Sequence, residues 1–185
     1  SPILLGDCHT HLDQYPPAEM PEILDRARES GVAFAVCAGT TLKSTKDCIA
    51  LADKHNDTRT VLLTTEEEGV AICAGADLVG ERAVLCMQSS GVGNCPNYLS
   101  LAKGARFPLL LMISMRGDYG EQNPWQYPMG EAVETLLQSF GVLIFKVEGP
   151  DDLEKATTAA VNASGNGAQA AAIVLSQKFL GAKGF

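Results

Sequence analysis

Short apolar runs alternate with helical stripes along the whole chain. Ile3–Leu5 is a short candidate strand. Over Glu19–Ser30, Ile23, Leu24 and Ala27 fall on one face of a helix, and Gly31 stands where a helix commonly ends. Val32–Ala38 is a continuous apolar run, as expected of a strand covered on both faces. Leu42, Thr45, Ile49 and Ala52 give Leu42–His55 the spacing of a second amphipathic helix. Further strands are predicted at Thr60–Leu63, Ala83–Met87, Leu109–Ser114, Val142–Val147 and Ala171–Leu175. Between them, helices are predicted near Glu67–Leu78, Asn94–Ala102, Gly130–Phe140 and Asp151–Ser164. Alternation of this kind implies an α/β fold in three layers, a mostly parallel sheet with helices on both faces. Ligands of such sheets sit beyond the carboxyl ends of the strands. With no repeat or long linker, residues 1–185 are expected to form one domain.

Composition narrows the function classes. The 185 residues are 46% hydrophobic and 19% charged, ordinary globular material. A formal net charge of −8 without a basic cluster argues against nucleic acid. No apolar run approaches the length of about eighteen residues that spans a membrane. Ser1–Gly6 lacks the basic and apolar regions of a secretory signal, so the expected location is cytoplasmic. Six cysteines, at 8, 37, 48, 73, 86 and 95, form no C-x-x-C pair and read as reduced thiols.

The most informative stretch is Thr64-Thr65-Glu66-Glu67-Glu68-Gly69-Val70-Ala71-Ile72-Cys73-Ala74-Gly75. Three adjacent acids end a strand and open a small-residue helix that Thr65 could cap. A helix N-terminus favours negative charge, so a decorated helix start accounts for the acids equally well. Gln88-Ser89-Ser90-Gly91-Val92-Gly93-Asn94 leaves a strand through a Gly-rich loop, turning backbone N–H groups toward a cavity or simply making a turn. No Gly-Lys-Ser/Thr follows, so it is not a P-loop.

Together these segments resemble the pyrimidine-binding domain of thiamine-diphosphate enzymes. The likeness narrows to the sulfopyruvate decarboxylase α-subunit and phosphonopyruvate decarboxylase group. It is carried also by Ile113-Ser114-Met115-Arg116-Gly117-Asp118, Asn123-Pro124-Trp125-Gln126 and Leu175-Ser176-Gln177, over about Thr58–Phe185. The resemblance implies a flavodoxin-like pyrimidine-domain fold. It implies that Glu66, nine residues before Gly75, hydrogen-bonds the aminopyrimidine, with Glu67 as fallback. Gln88, Ser89, Ser90, Gly91, Gly93 and Asn94 are the cofactor-lining candidates. Arg116 and Gln126 are the candidates for an anionic oxo-acid substrate, because a sulfonate or phosphonate needs a guanidinium or equivalent donors; a surface ion pair explains Arg116 equally. Trp125 is expected to anchor the loop by packing.

The opening belongs to another pattern. Asp7-Cys8-His9-Thr10-His11-Leu12-Asp13 places His9 and His11 two apart on an extended segment, where both can face one metal. With Arg26–Val32, Ala38–Leu42 and Leu51–His55, it resembles the first units of TatD-type metal-dependent hydrolases, over about Ile3–Asp57. The resemblance makes His9 and His11 metal ligands, but the remaining ligands of that family have no match. Two imidazoles alone make a weak, incomplete site, and hydrolase function is disfavoured.

Two likenesses meeting near Asp57–Arg59 suggest a hybrid, and the clean junction favours construction. Its loop Cys37–Thr41 lacks the acid that the decarboxylase family carries there. The sequence has no Gly-Asp-Gly start of a diphosphate-binding half. The expectation is therefore a hybrid domain without catalysis of its own, and no cofactor held by the isolated chain. The alternative is an α subunit active with a separate diphosphate-binding β subunit, thiamine diphosphate and magnesium. Self-association is also expected, since such domains bury an apolar face.

Overall fold

The computed structural model describes residues 5–10, 16, 18–29, 32–37, 61 and 63–181. The chain divides into two compact units, Ser1–Leu62 and Leu63–Phe185. In the first, β1 (Leu5–Thr10) and β2 (Val32–Cys37) pair in parallel, with α1 (Met20–Glu29) between them in sequence. Of the strand expected at Ile3–Leu5, Leu5 alone lies among the described residues, and it opens β1, in which Asp7 pairs with Ala35. The helix predicted over Leu42–His55 lies outside the described residues, as do His11 and the side chain of His9.

The second unit contains α2 (Glu66–Leu78), β3 (Val84–Gln88), α3 (Ser89–Val92), α4 (Pro96–Ala105) and β4 (Leu109–Ser114). It continues through α5 (Tyr127–Ser139), β5 (Leu143–Val147), α6 (Pro150–Gly165), β6 (Ala170–Leu175) and α7 (Gln177–Leu180). The strands form one sheet in the order β3-β4-β6-β5, and every pair is parallel. Alternation along the strands divides the core. Leu85, Met87, Leu109, Leu111, Ile113, Ala172 and Val174 bury one face among side chains of α2 to α5. On the other face α6 packs against β5, β6 and β4, and its Leu153, Ala156 and Ala160 are buried. The chain moves from β3 to β4 and on to β5, then turns back to β6. Right-handed crossovers put helices of opposite travel on opposite faces, which produces the three α/β layers.

Two predicted elements differ from the structure. The helix predicted near Asn94–Ala102 is present as α4 but starts at Pro96, whose missing N–H suits the first helical position, and it runs on to Ala105. Thr60–Leu63 was expected as a strand, yet Val61 and Leu63 carry no regular structure. Leu63 instead lies over the first turns of α2, its Cδ1 2.6 Å from where a side chain on Gly69 would start. It acts as an apolar staple on the helix entry.

At the carboxyl end of the sheet a buried carboxylate ties the loops together. Glu121 Oε2 accepts from Arg116 Nε (2.6 Å), Gly117 N (3.1 Å) and Gln177 Nε2 (3.0 Å). Its Oε1 accepts from Arg116 Nη2 (2.6 Å) and Asn123 N (2.9 Å). Gln177 is equally buried, and its Oε1 accepts from Asp118 N and Tyr119 N, both at 3.1 Å. Ser89 Oγ accepts from Arg116 N (3.0 Å) and donates to Arg116 O (3.2 Å), joining the end of β3 to that of β4. The Arg116 guanidinium, aided by the N–H groups of Asn123 and Gly117 and the Gln177 amide, holds the Glu121 carboxyl far below the ordinary carboxylate range, against the opposing effect of burial.

Two expectations follow. Glu121→Gln leaves Arg116 facing a neutral group, and should cost on the order of 3 kcal/mol at neutral pH, read by urea unfolding. That is near the lower end for a broken buried pair, because water still reaches the partly exposed Arg116. A depressed carboxylate stabilises the fold fully above its unfolded value near 4.5 and loses that contribution as pH falls further. The gap between variant and wild type should therefore shrink on acidification below that value, and a gap that widens would contradict the assignment. Gly117 has φ +71, with the Gln126 carbonyl filling the space a side chain would need. Gly117→Ala should cost about 1–3 kcal/mol in the same measurement.

Candidate functional site

Glu66 is the first residue of α2, and its side chain reaches across to α3, at the carboxyl end of β3. Its Oε2 accepts from Asn94 Nδ2 at 2.8 Å. Its Cδ and Oε1 lie 2.6 Å from the point where a Cβ on Gly91 would stand. Only glycine leaves room for this carboxylate, a steric requirement more specific than a turn. Glu66 Oε1 has no hydrogen-bond partner among the described residues.

The other acids of the triplet do different work. Glu68 Oε2 accepts from Thr64 N at 2.9 Å and satisfies a donor at the helix entry. Thr65 occupies the N-cap position, but its hydroxyl makes no capping bond, contrary to expectation. Glu67 Oε2 is buried without a donor. Next to the pair, Cys95 is buried and its thiol donates to Gly91 O at 3.4 Å. Burial first, then the charges of Glu66 and Glu67, push this thiol up to about 12. It stays protonated at neutral pH and is no nucleophile. Cys73, also buried, is pushed up to about 11, mainly by desolvation.

The remaining loop candidates divide. Ser90 Oγ donates to Gln88 Oε1 at 2.9 Å, so these two meet each other. Ser89 is fully buried and spends its hydroxyl on the Arg116 backbone, while Gly93 lies against Met129 of α5. Both are framework contacts. Arg116, expected as an anion receptor, has two donors committed to Glu121. Gln126 stands at the end of the loop, partly buried, with Oε1 lacking a partner. Trp125 does not anchor the loop by packing: it is 87% exposed. Glu121 carried no motif signal in the sequence, whereas Gln177 stood in the Leu175-Ser176-Gln177 segment of the resemblance without a role being read for it. No group of three His, Cys, Asp or Glu is arranged for a metal ion among the described residues.

These residues fit an aminopyrimidine. Such a ring offers N–H donors on a flat edge, and Glu66 Oε1 is an acceptor without a partner, with the bare Gly91 backbone beside it. The buried Glu67 oxygen adds a second unsatisfied acceptor at the same helix start. Among the described residues, no helix is long and apolar enough to cross a membrane.

No family model matches the chain. Among individual proteins, it is 36% identical over 134 residues to sulfopyruvate decarboxylase subunit alpha of Methanocaldococcus jannaschii, covering 72% of this chain and 78% of that one. The Methanococcus maripaludis subunit alpha is 35% identical over 128 residues, 69% and 75% of the two chains. Phosphonopyruvate decarboxylase of Streptomyces viridochromogenes is 39% identical over 110 residues, 58% of this chain but 28% of that protein. The match of 134 residues is longer than Thr58–Phe185, so the decarboxylase likeness reaches into the segment before residue 58. With this identity over most of both proteins, the chain belongs to the sulfopyruvate decarboxylase α-subunit family.

Proposed function

We propose that the chain is the pyrimidine-binding subunit of a thiamine-diphosphate-dependent decarboxylase acting on a 3-sulfo- or 3-phosphono-2-oxo acid. A separate β subunit would hold the diphosphate and its magnesium. The observation that carries this reading is Glu66: one oxygen fixed by Asn94, the other unpaired, over a glycine that admits nothing larger. Relatives named as subunit alpha support the division into two chains.

The chain's own groups have separable tasks. Asn94 holds Glu66 Oε2, leaving Oε1 to accept an N–H from the aminopyrimidine edge and to keep a proton at that nitrogen. When bound, the cofactor supplies an electron sink for the electron pair left as carbon dioxide departs. Gly91 leaves the room that the Glu66 side chain occupies. Gln88 and Ser90 present polar groups beside it, and Gln126 offers an unsatisfied carbonyl oxygen to a substrate or cofactor donor. Arg116 acts through the loop, since its donors are turned inward to Glu121.

A second reading concerns residues 3–57 alone, as a TatD-like opening joined to this domain. The boundary between the compact units at Leu62–Leu63 supports a joint in that region. Weak binding of added zinc, removed by a chelator and lost in His9→Ala, is its expected signature; a wild type that takes up no added zinc sinks it.

The isolated chain should release no carbon dioxide from sulfopyruvate. Mixed with the β subunit of its own source, thiamine diphosphate and magnesium, it should do so. In that mixture Glu66→Gln should lower turnover at least about a hundredfold, the usual scale for a positioned acid–base group. Turnover unchanged by the substitution would remove Glu66 from the site. Gly91→Ala drives a methyl into Glu66 Cγ, Cδ and Oε1 and must displace that side chain, so turnover should fall while urea unfolding shifts by about 1–3 kcal/mol, the overpacking scale.

A further inference from the structure

The loop after β4 has a feature that the Glu66 site leaves unused. Trp125, the single tryptophan of the chain, is 87% exposed, Tyr119 58%, Tyr127 41% and Leu180 of α7 42%. The segments bearing them are bonded together, because Gln177 at the start of α7 accepts from the Asp118 and Tyr119 N–H groups. Nothing in the backbone beneath is loose. Asn123 Oδ1 accepts from Trp125 N at 3.1 Å, Tyr127 Oη donates to Glu121 O at 2.6 Å, and the buried Glu121 holds the base. A rigid loop that displays aromatic side chains to water gives a partner large apolar area with little ordering left to lose.

We infer that this aromatic loop is the docking face for the β subunit, with Trp125 as the anchor received by an apolar slot of the partner. The inference rests on the proposed function and adds the place where the subunits meet. Two observations choose the occupant. The loop stands at the same sheet end as Glu66: Ser89, at the start of α3, holds the Arg116 backbone, and Met129, two residues past Tyr127, lies on Gly93. A chain that brings the missing half of a cofactor to Glu66 must approach this end. The rim is also acidic, with Asp118, Glu148, Asp151 and Asp152 exposed, in a chain of net charge −8. A second copy would bring the same charge to the same surface, so a partner with basic groups around an apolar slot fits better.

The lone tryptophan makes the test direct. The chain is labelled with 5-fluorotryptophan, giving one fluorine resonance, and titrated with the unlabelled β subunit. The resonance should shift and lose its sensitivity to deuterium oxide on saturation. Trp125→Ala should weaken subunit association about tenfold or more, yet recover wild-type turnover within about twofold when the β subunit saturates. Unchanged thermal unfolding of the variant alone confirms that it folds. The docking face is overturned if subunits associate and release carbon dioxide while the resonance stays put and Trp125→Ala binds normally; the assignment of Glu66 survives that result. A shift on concentrating the chain alone assigns the face to a second copy, and a shift with thiamine diphosphate alone assigns it to the cofactor; both overturn the inference. If the subunits do not associate, the proposed function and the docking face fall together.

Discussion

A carboxylate sealed inside the carboxyl end of the sheet is the constraint on which the rest of the loop architecture depends. Burying a charge costs several kcal/mol unless it is paired and hydrogen-bonded. Glu121 meets that condition by drawing donors from the end of β4, from its own loop and from the residue after β6. The segments cannot move apart without stranding the charge. From there contact is continuous: Arg116 to Ser89, α3 to Gly91 and Asn94, and these to Glu66. The helix start that carries Glu66 is thus set against a framework whose geometry the buried acid maintains.

The contrast between Glu121 and Glu66 shows how one residue type serves two ends. Both oxygens of Glu121 are occupied, so it has nothing to offer a ligand and its charge is fixed by its donors. Glu66 has one oxygen held and one unpaired, which is the arrangement expected of a group that must be both positioned and available. Arg116 shares in that frame through Nε and Nη2, the two donors it gives to Glu121. Cys95, with its thiol held protonated, adds bulk and one weak hydrogen bond beside the site.

Much of this was legible in the residue order. Leu109–Ser114 is a strand as predicted, because a central parallel strand needs apolar side chains on both faces, and Ala170–Leu175 reads the same way for the same reason. The choice of Glu66 is what the family resemblance implies, with Gly75 fixing the register, and the structure brings Glu66, Gly91 and Asn94 together although Asn94 lies 28 positions on. What was not legible depends on long-range pairing. A glutamate in a Gly-rich loop reads as solvated, and only Gln177, 56 positions away, together with Arg116 reveals Glu121 as buried. Trp125 was misread because a large apolar side chain is assigned to a core by its chemistry, whereas the Glu121 network already holds the loop and leaves the indole outside. Pro96, by contrast, was a readable helix start that the periodicity reading passed over.

An open half-site has a physical consequence for when the chemistry can occur. While the end of the sheet faces water, a hydrogen bond from a ring N–H to Glu66 competes with bulk solvent and is worth little net free energy. Covering that end excludes the competitor and lowers the local dielectric, which strengthens the same bond without any change in the residues that make it. Under the inferred docking, the exposed acids of the rim would work in the same direction, disfavouring a like copy relative to a chain of different charge. On this view the carboxylate needs no rearrangement to become effective. Asn94 and Gly91 already place it, and under the proposed function the docking that would complete the cofactor site would also dry it.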